Sequence, residues 1–380
     1  MPIERAVELH EQEIQEAAAN YYHCLNLSPD TRVLIVTDIL PEDLSAPNDA
    51  NIKVRSEMVS QLSDKFSQEQ RSFHVVRFSG ETSKDTMHAV TAEAIQKLYE
   101  DGEESHPLTV VYLGEKWKNR RSMYKAAGNF AKAHEVRMAG SLGFTTGDCR
   151  VMAHMNEFQR KALVGVDNKF KEFFAAHPKG RLLIMTKKDG YDLPLVIEYD
   201  MAMSLFEPDI GQFHPQYDTK DDEFGFVFIN VPGGERFATP YPFKHSEGYF
   251  AASGIMFHVH EGLITEAIAS QLVLDNVTDS MQKLALELIR SGHPLPLSEL
   301  GLGFFSALGI AVYEDSSILS LEKAGPHAGL AHIPGKSTEH EEIAKAAGDF
   351  HHTDFVMDGP RIYLFAPDGN GMEAQLYPME

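Results

Sequence analysis

Between residues 31 and 131 short apolar runs alternate with longer segments of helical period, and this alternation constrains the fold more than any other feature of the chain. The runs are "TRVLIVTD" (31–38), "FHVVRFS" (73–79) and "LTVVYLG" (108–114). Each is rich in β-branched or aliphatic side chains and too short for a helix that stands alone. Runs that are apolar at successive positions belong to strands buried on both faces, the situation of a parallel sheet covered by helices. The segments between them, "NDANIKVRSEMVSQLSDKF", residues 84–100, and the stretch from Glu115 through "AAGNFAKAHE", repeat apolar positions at helical spacing. Residues 1–22 do the same. Strand–helix–strand units with right-handed crossovers give an open α/β sheet, Rossmann-like in outline. No G-x-G-x-x-G follows the first strand and no G-K-[ST] loop is present, so a nucleotide site in this half has no support.

After residue 178 the texture changes. "GRLLIMTKKDGYDLPLVIEYD" reads as two β segments around a Lys-Asp-Gly turn. "FGFVFINVPGG" is a strand entering a glycine turn, and "YFAASGIMFHVHEGLITEA" is strand, Glu-Gly turn, strand. "RIYLFAPDGNGMEAQLYP" is a terminal hairpin, and one helix over about residues 278–291 interrupts the series. "AAHPKG" supplies a helix stop just before the change. The expected organisation is an α/β Rossmann-like domain over 1–178 and a β-rich α+β domain over 179–380 that carries the chemistry.

Charge and cysteine content narrow the function classes. The formal net charge of −22 opposes nucleic acid or an anionic membrane as partner, since phosphate binding needs a basic face. Two cysteines, Cys24 and Cys149, exclude a disulfide framework and a cysteine-based zinc site. The N-terminal segment is acidic, without the apolar core of a signal peptide, and no run reaches the length of a membrane span. A cytoplasmic setting is expected.

Four stretches of the second half set ionisable residues among glycines: "NVPGGE" (230–235), "SELGLG" (298–303), "AGPHAGLAH" (324–332) and "FHHTD" (350–354). Small residues let backbone approach a ligand closely while a turn or strand end presents the side chain. On a strand His352 and Asp354 point to one face and can offer a nitrogen and an oxygen to one cation, whereas His351 points away. His327 would complete a two-histidine, one-carboxylate set suited to zinc, manganese, cobalt or ferrous iron. Glu235 and Glu299 can add oxygen ligands and extend the site to two ions. Among 18 histidines an isolated H-x-D also arises by chance. His258 and His260 in "FHVHEG" share a face and read as partly exposed strand residues.

Together the four stretches resemble the thermophilic metallo-aminopeptidase family, that of aminopeptidases T and S. The family's order N-x-P-x-G-E, E-L-G-x-G, a histidine–glycine turn and H-x-D-x-V-M stands here as "NVPGGE", "ELGLG", "PHAGLA" and "HTDFVM". Glu235, Glu299, His327 and His352 are separated by 64, 28 and 25 residues, close to the family's intervals. "TKKDGYDL" resembles a further family segment. The resemblance covers most of residues 180–366.

The resemblance implies that Glu235, Glu299, His327, His352 and Asp354 ligate divalent metal (zinc, cobalt or manganese). It implies a hydrolase releasing N-terminal amino acids from peptides, with Glu299 bridging the ions or moving a proton. It also implies homodimers paired through the β-rich halves. Two departures stand out. Pro334 occupies the place of the family's functional tyrosine, with no tyrosine in 326–350, and Arg236 follows Glu235 where a small apolar residue is usual. Arg236, His245 in the stretch that follows it, and His332, which lies in a loop and otherwise reads as solvent-facing, are the candidates for contact with a peptide or small-molecule substrate. A second branch of the same fold family opens aromatic rings of the 2,5-dihydroxypyridine type with one Fe(II) held by two histidines and an aspartate, which His327, His352 and Asp354 match. A non-catalytic binding descendant is the third alternative.

Overall fold

The computed structural model describes residues 4–5, 8–38, 49–100, 105–115, 119–200, 206–214, 224–238, 245–277, 279–330, 352–366 and 372–377. In its first part there are six helices and four strands. They are α1 (Glu11–Cys24), β1 (Arg32–Thr37), α2 (Ala50–Gln68), β2 (Phe73–Arg77), α3 (Lys84–Leu98), β3 (Leu108–Gly114), α4 (Arg120–Ala131), β4 (Val136–Leu142), α5 (Thr146–His154) and α6 (Glu157–Ala176). The elements up to α4 alternate in the order expected, and β4, α5 and α6 add to it. Helix starts follow from local chemistry. Asp49 accepts from the backbone N–H groups of Asn51 and Ile52 at the head of α2, and Asn156 does the same at α6. Each satisfies donors that the first helical turn leaves without partners.

The second part begins with the hairpin β5 (Lys179–Lys188) and β6 (Tyr191–Asp200), followed by β7 (Phe206–Asp209), β8 (Val227–Asn230) and β9 (Glu235–Ala238). Then come β10 (Glu247–Ala252), β11 (Ile255–His260) and β12 (Leu263–Ile268), the helices α7 (Gln271–Asp275) and α8 (Ser280–Arg290), and β13 (Leu295–Gly303). The last elements are α9 (Ile318–Lys323), β14 (Pro326–Leu330), β15 (Thr353–Val356), β16 (Arg361–Phe365) and β17 (Met372–Tyr377). "YFAASGIMFHVHEGLITEA" thus holds three strands, not two. Ser253-Gly254 makes a turn in addition to Glu261-Gly262, and in both pairs each residue has a positive φ, as tight hairpin turns require.

Two sheets result, an α/β architecture. The first is a parallel sheet of five strands in the order β2-β1-β3-β4-β8. The second is a large antiparallel sheet running β15-β14-β13-β12-β11-β10-β6-β5-β16-β17, with β9 on β13 and β7 on β9. β1 and β3 are buried along their whole length, and their side chains alternate between two cores. Val33, Ile35, Val111 and Leu113 enter one cluster, while Leu34, Val36, Val110 and Tyr112 enter the other. That is the period of two expected of a strand covered on both faces.

β8 corrects one reading of the sequence. "FGFVFIN" was expected in the β-rich half, yet it closes the parallel sheet against β4. Its run is apolar on both faces: Phe226 packs with the outer core beside Tyr124, and Val227 and Ile229 join the inner one. A strand of that composition belongs where helices cover both sides. Where the strand order reverses, between β1 and β3, Arg55 of α2 bridges the carboxyl ends. Its guanidinium binds both oxygens of Asp38 at 3.0 Å and the Phe144 carbonyl at 3.1 Å. No helix among the described residues is long and apolar enough to cross a membrane.

Candidate metal centre

The site is built across β9, β13, β14 and β15, which lie side by side. Register sets the geometry. Glu299 on β13 faces Gly329 on β14, and Gly329 faces Asp354 on β15. One row over, Gly301 faces His327, and Gly303 faces Glu235. A glycine therefore stands opposite Glu299, Asp354, His327 and Glu235. A Cβ on Gly301 would lie 1.9 Å from His327 Cε1. One on Gly329 would lie 2.4 Å from His352 Cε1 and 2.6 Å from Glu299 Cβ. The imidazoles lie across the strands in the volume that these glycines leave. "SELGLG" lies wholly within β13, and "PHAGL", expected as a histidine–glycine turn, is β14; their glycines serve close approach.

Five side chains expected as ligands converge. His327 Nε2 lies 3.3 Å from Glu235 Oε2, 3.5 Å from Glu299 Oε1 and 4.0 Å from Asp354 Oδ1. His352 Nε2 lies 3.0 Å from Asp354 Oδ1 and 3.6 Å from Glu299 Oε2. Glu299 thus sits between the two imidazoles with one oxygen toward each. Three overlapping sets have ligand atoms within 4.8 Å of one another: Glu235, Glu299 and His327; Glu299, His352 and Asp354; Glu322, His327 and Asp354. His327 Nδ1 lies 3.4 Å from the Gly325 carbonyl, a contact that directs the other ring nitrogen into the cluster.

Glu235, Glu299, His327 and Asp354 are all buried, and His352 is about a quarter exposed. Glu235 Oε2, His327 Nε2 and Asp354 Oδ1 are buried without a hydrogen-bond partner. Buried carboxylates without compensation are costly, so the donor set fits a divalent cation bound by nitrogen and oxygen. In the metal-free protein protons take over this compensation. Burial disfavours the charged imidazoles, but the carboxylates outweigh it: Glu299, Glu235 and Asp354 raise His327 to about 10, and Asp354 raises His352 to about 9. For Asp354 burial acts upward, yet His352 and His327 hold it well below the ordinary carboxylate value. Burial leaves Glu322 well above its usual value despite Lys323 beside it.

Three participants were not anticipated from the sequence: Asp209, Glu322 and Lys323. Lys323 Nζ is fully buried and donates to Glu235 Oε1, to Glu322 Oε1 at 2.6 Å, and lies 3.4 Å from Asp209 Oδ2. Burial lowers the affinity of such an amine for its proton, but these three carboxylates raise its pKa well above the usual value. Glu322-Lys323 stands only five residues before His327, which was its one available signal. An adjacent Glu-Lys pair normally reads as a solvated helix end.

Of the expected substrate-facing residues, Arg236 is turned away from the cluster. Arg236, next to Glu235 on β9, projects to the opposite face of its strand. It is buried and paired with Asp167 of α6, Nη2 to Oδ2 at 3.0 Å, so its charge is held by the scaffold rather than offered to a substrate. His245 is exposed, just ahead of β10. His332, His351 and Pro334 lie outside the described residues. His258 is half-buried against Thr265, and His260 is exposed beside Glu247.

No protein-family model and no characterised protein matches the sequence. Among solved structures the chain is similar to wild-type AmpT from Thermus thermophilus. The identity is 14%, the TM-score is 0.56, and the match covers 96% of this chain and 98% of that one. A likeness at this identity shows a common fold.

Proposed function

We propose that the chain is a metal-dependent hydrolase of the aminopeptidase T type, releasing N-terminal amino acids from peptides. The observation that carries the reading is Glu299. It reaches toward both imidazoles and belongs to two adjacent ligand sets, Glu235–Glu299–His327 and Glu299–His352–Asp354. A carboxylate shared by neighbouring sets is the arrangement of a two-ion centre. The structural likeness to AmpT supports the same reading.

Divalent ions held there would polarise a peptide carbonyl and acidify a water. The chain's own residues supply the rest. Glu299 orients the centre between the imidazoles. Glu322, whose burial raises its carboxyl well above the ordinary carboxylate value, stands beside Asp354 as a group able to take up or return a proton.

The test is elemental analysis of protein purified anaerobically without chelators, followed by digestion of a peptide library. Two zinc, cobalt or manganese ions per chain and loss of N-terminal residues are expected. One iron per chain with oxygen uptake on dihydroxylated aromatics would replace the hydrolase by the ring-opening reading on His327, His352 and Asp354.

A further inference from the structure

We propose that the Lys323 ammonium is a built-in cation of this site, occupying a three-carboxylate pocket that would otherwise take a further divalent ion. The proposal rests on the metal reading above but concerns a residue that reading does not use.

An ammonium has three N–H donors and no acceptor. Around Lys323 Nζ stand three carboxylates: Glu235 and Glu322 accept hydrogen bonds from it, and Asp209 Oδ2 lies 3.4 Å away as an ion-pair partner. The amine has no exposure to solvent. Its backbone is also fixed. Phe305 N–H donates to the Lys323 carbonyl at 2.9 Å, and a Cβ on Gly303 would lie 2.6 Å from the same oxygen. The tether therefore delivers Nζ to one place. Oxygen ligands converging on a buried positive centre are what a hard divalent cation also seeks.

Two consequences follow. Lys323 engages Glu235 through Oε1, so only Oε2, the buried oxygen without a hydrogen-bond partner, remains for the ion next to His327. Glu235 is then a one-oxygen ligand. Charge points the same way. When ionised, Asp209, Glu235, Glu299, Glu322 and Asp354 are balanced by one ammonium and two divalent ions. Without the ammonium the balance calls for one more positive centre.

The experiment measures metal content per chain after loading with Mn(II) or Zn(II) and desalting, checked by calorimetric titration with the same ion. Lys323→Ala is compared with wild type and with Lys323→Arg. Lys323→Ala is expected to hold one ion more than wild type, and Lys323→Arg the wild-type number. An unchanged or smaller number in folded Lys323→Ala overturns the proposal. Should that variant not fold, Lys323→Gln answers the same question. If wild type binds no ion and Lys323→Ala binds one, the metal reading fails while this proposal stands. Two ions in both proteins leaves the metal reading and removes the proposal.

Discussion

His352 and His327 share the same carboxylates but differ in what their loss would do. His327 is fully buried and its ring fills the volume above Gly301, whereas His352 precedes β15 and is partly exposed. His352→Ala is therefore expected to spare the fold and to weaken metal binding by more than ~100-fold, since removing even an outer partner of a ligand typically costs 10–100-fold. Retention of stoichiometric metal by that variant would remove His352 from the ligand set. The two imidazoles also fix a pH dependence. Their folded values, about 10 and about 9, stand above the ordinary 6.5. Stability from the protonated rings is thus complete below pH 6.5 in the metal-free protein and declines until it is gone near pH 10. Asp354, held low, acts in the opposite sense: its contribution is present above pH 3.8 and is lost as pH falls below that. A metal ion needs neutral imidazoles, so its affinity rises across the same alkaline window. Melting curves of chelated and metal-loaded protein should diverge steadily from pH 6.5 to 10, and parallel curves would show that protons and metal do not compete.

At the level of elements, the glycines of β13 and β14 shape the site as much as the ligands do. Gly301→Ala drives a methyl into the His327 ring, and Gly329→Ala meets His352, Glu299 and Asp354 together. Each is expected to cost about 1–3 kcal/mol through overpacking and to abolish tight metal binding. Chemical denaturation and metal titration check the two effects separately; wild-type affinity in Gly301→Ala would mean that the imidazole has room to move. These strands also mark how far the sequence could be read. The continuous apolar runs of β1 and β3 announced a parallel sheet, and the ligand stretches were found by their residue types and spacing. "VRMAGSL" of β4 does not announce a strand, because arginine, glycine and serine interrupt its apolar run, although β3 and β8 cover both its edges. "ELGLG" does not announce a strand, because glycine is usually a strand breaker, and only cross-strand register shows that each glycine answers an imidazole or carboxylate. Arg236 was drawn toward the substrate by its neighbour Glu235, but strand alternation turns it to the other face. Asp209 gives no sign of its role in the sequence and Lys323 only its closeness to His327, because a buried ion cluster assembled from distant segments leaves no local pattern.

Across the whole molecule the two sheets are tied together by more than the chain between α6 and β5. β8 crosses back to complete the parallel sheet, and β9, five residues on, delivers Glu235. The inner core is one cluster that includes Val33, Phe144 and Phe170 from the first half with Leu182, Phe304 and Leu364 from the second. Glu4 pairs with the backbone at Val312 and Glu314. Arg150 meets Asp315 at 3.0 Å, and Asp167 holds Arg236. The last of these is a buried pair, so removing one partner leaves an uncompensated charge. Asp167→Ala is expected to cost about 3–5 kcal/mol, whereas Asp167→Leu with Arg236→Met should recover most of it. Denaturant midpoints of the single and double variants decide whether the pair or only the packing matters. The same connections predict how the chain unfolds. Residues 1–178 alone would lack β8, leaving the β4 edge and the inner apolar face of the sheet open to water. We expect calorimetry of the metal-free chain to give a single transition, and the 1–178 fragment to show no cooperative melting. Two separable transitions, or a fragment that melts sharply by itself, would mean that the parallel sheet is stable without β8 and that Glu235 is held in place by the second half alone.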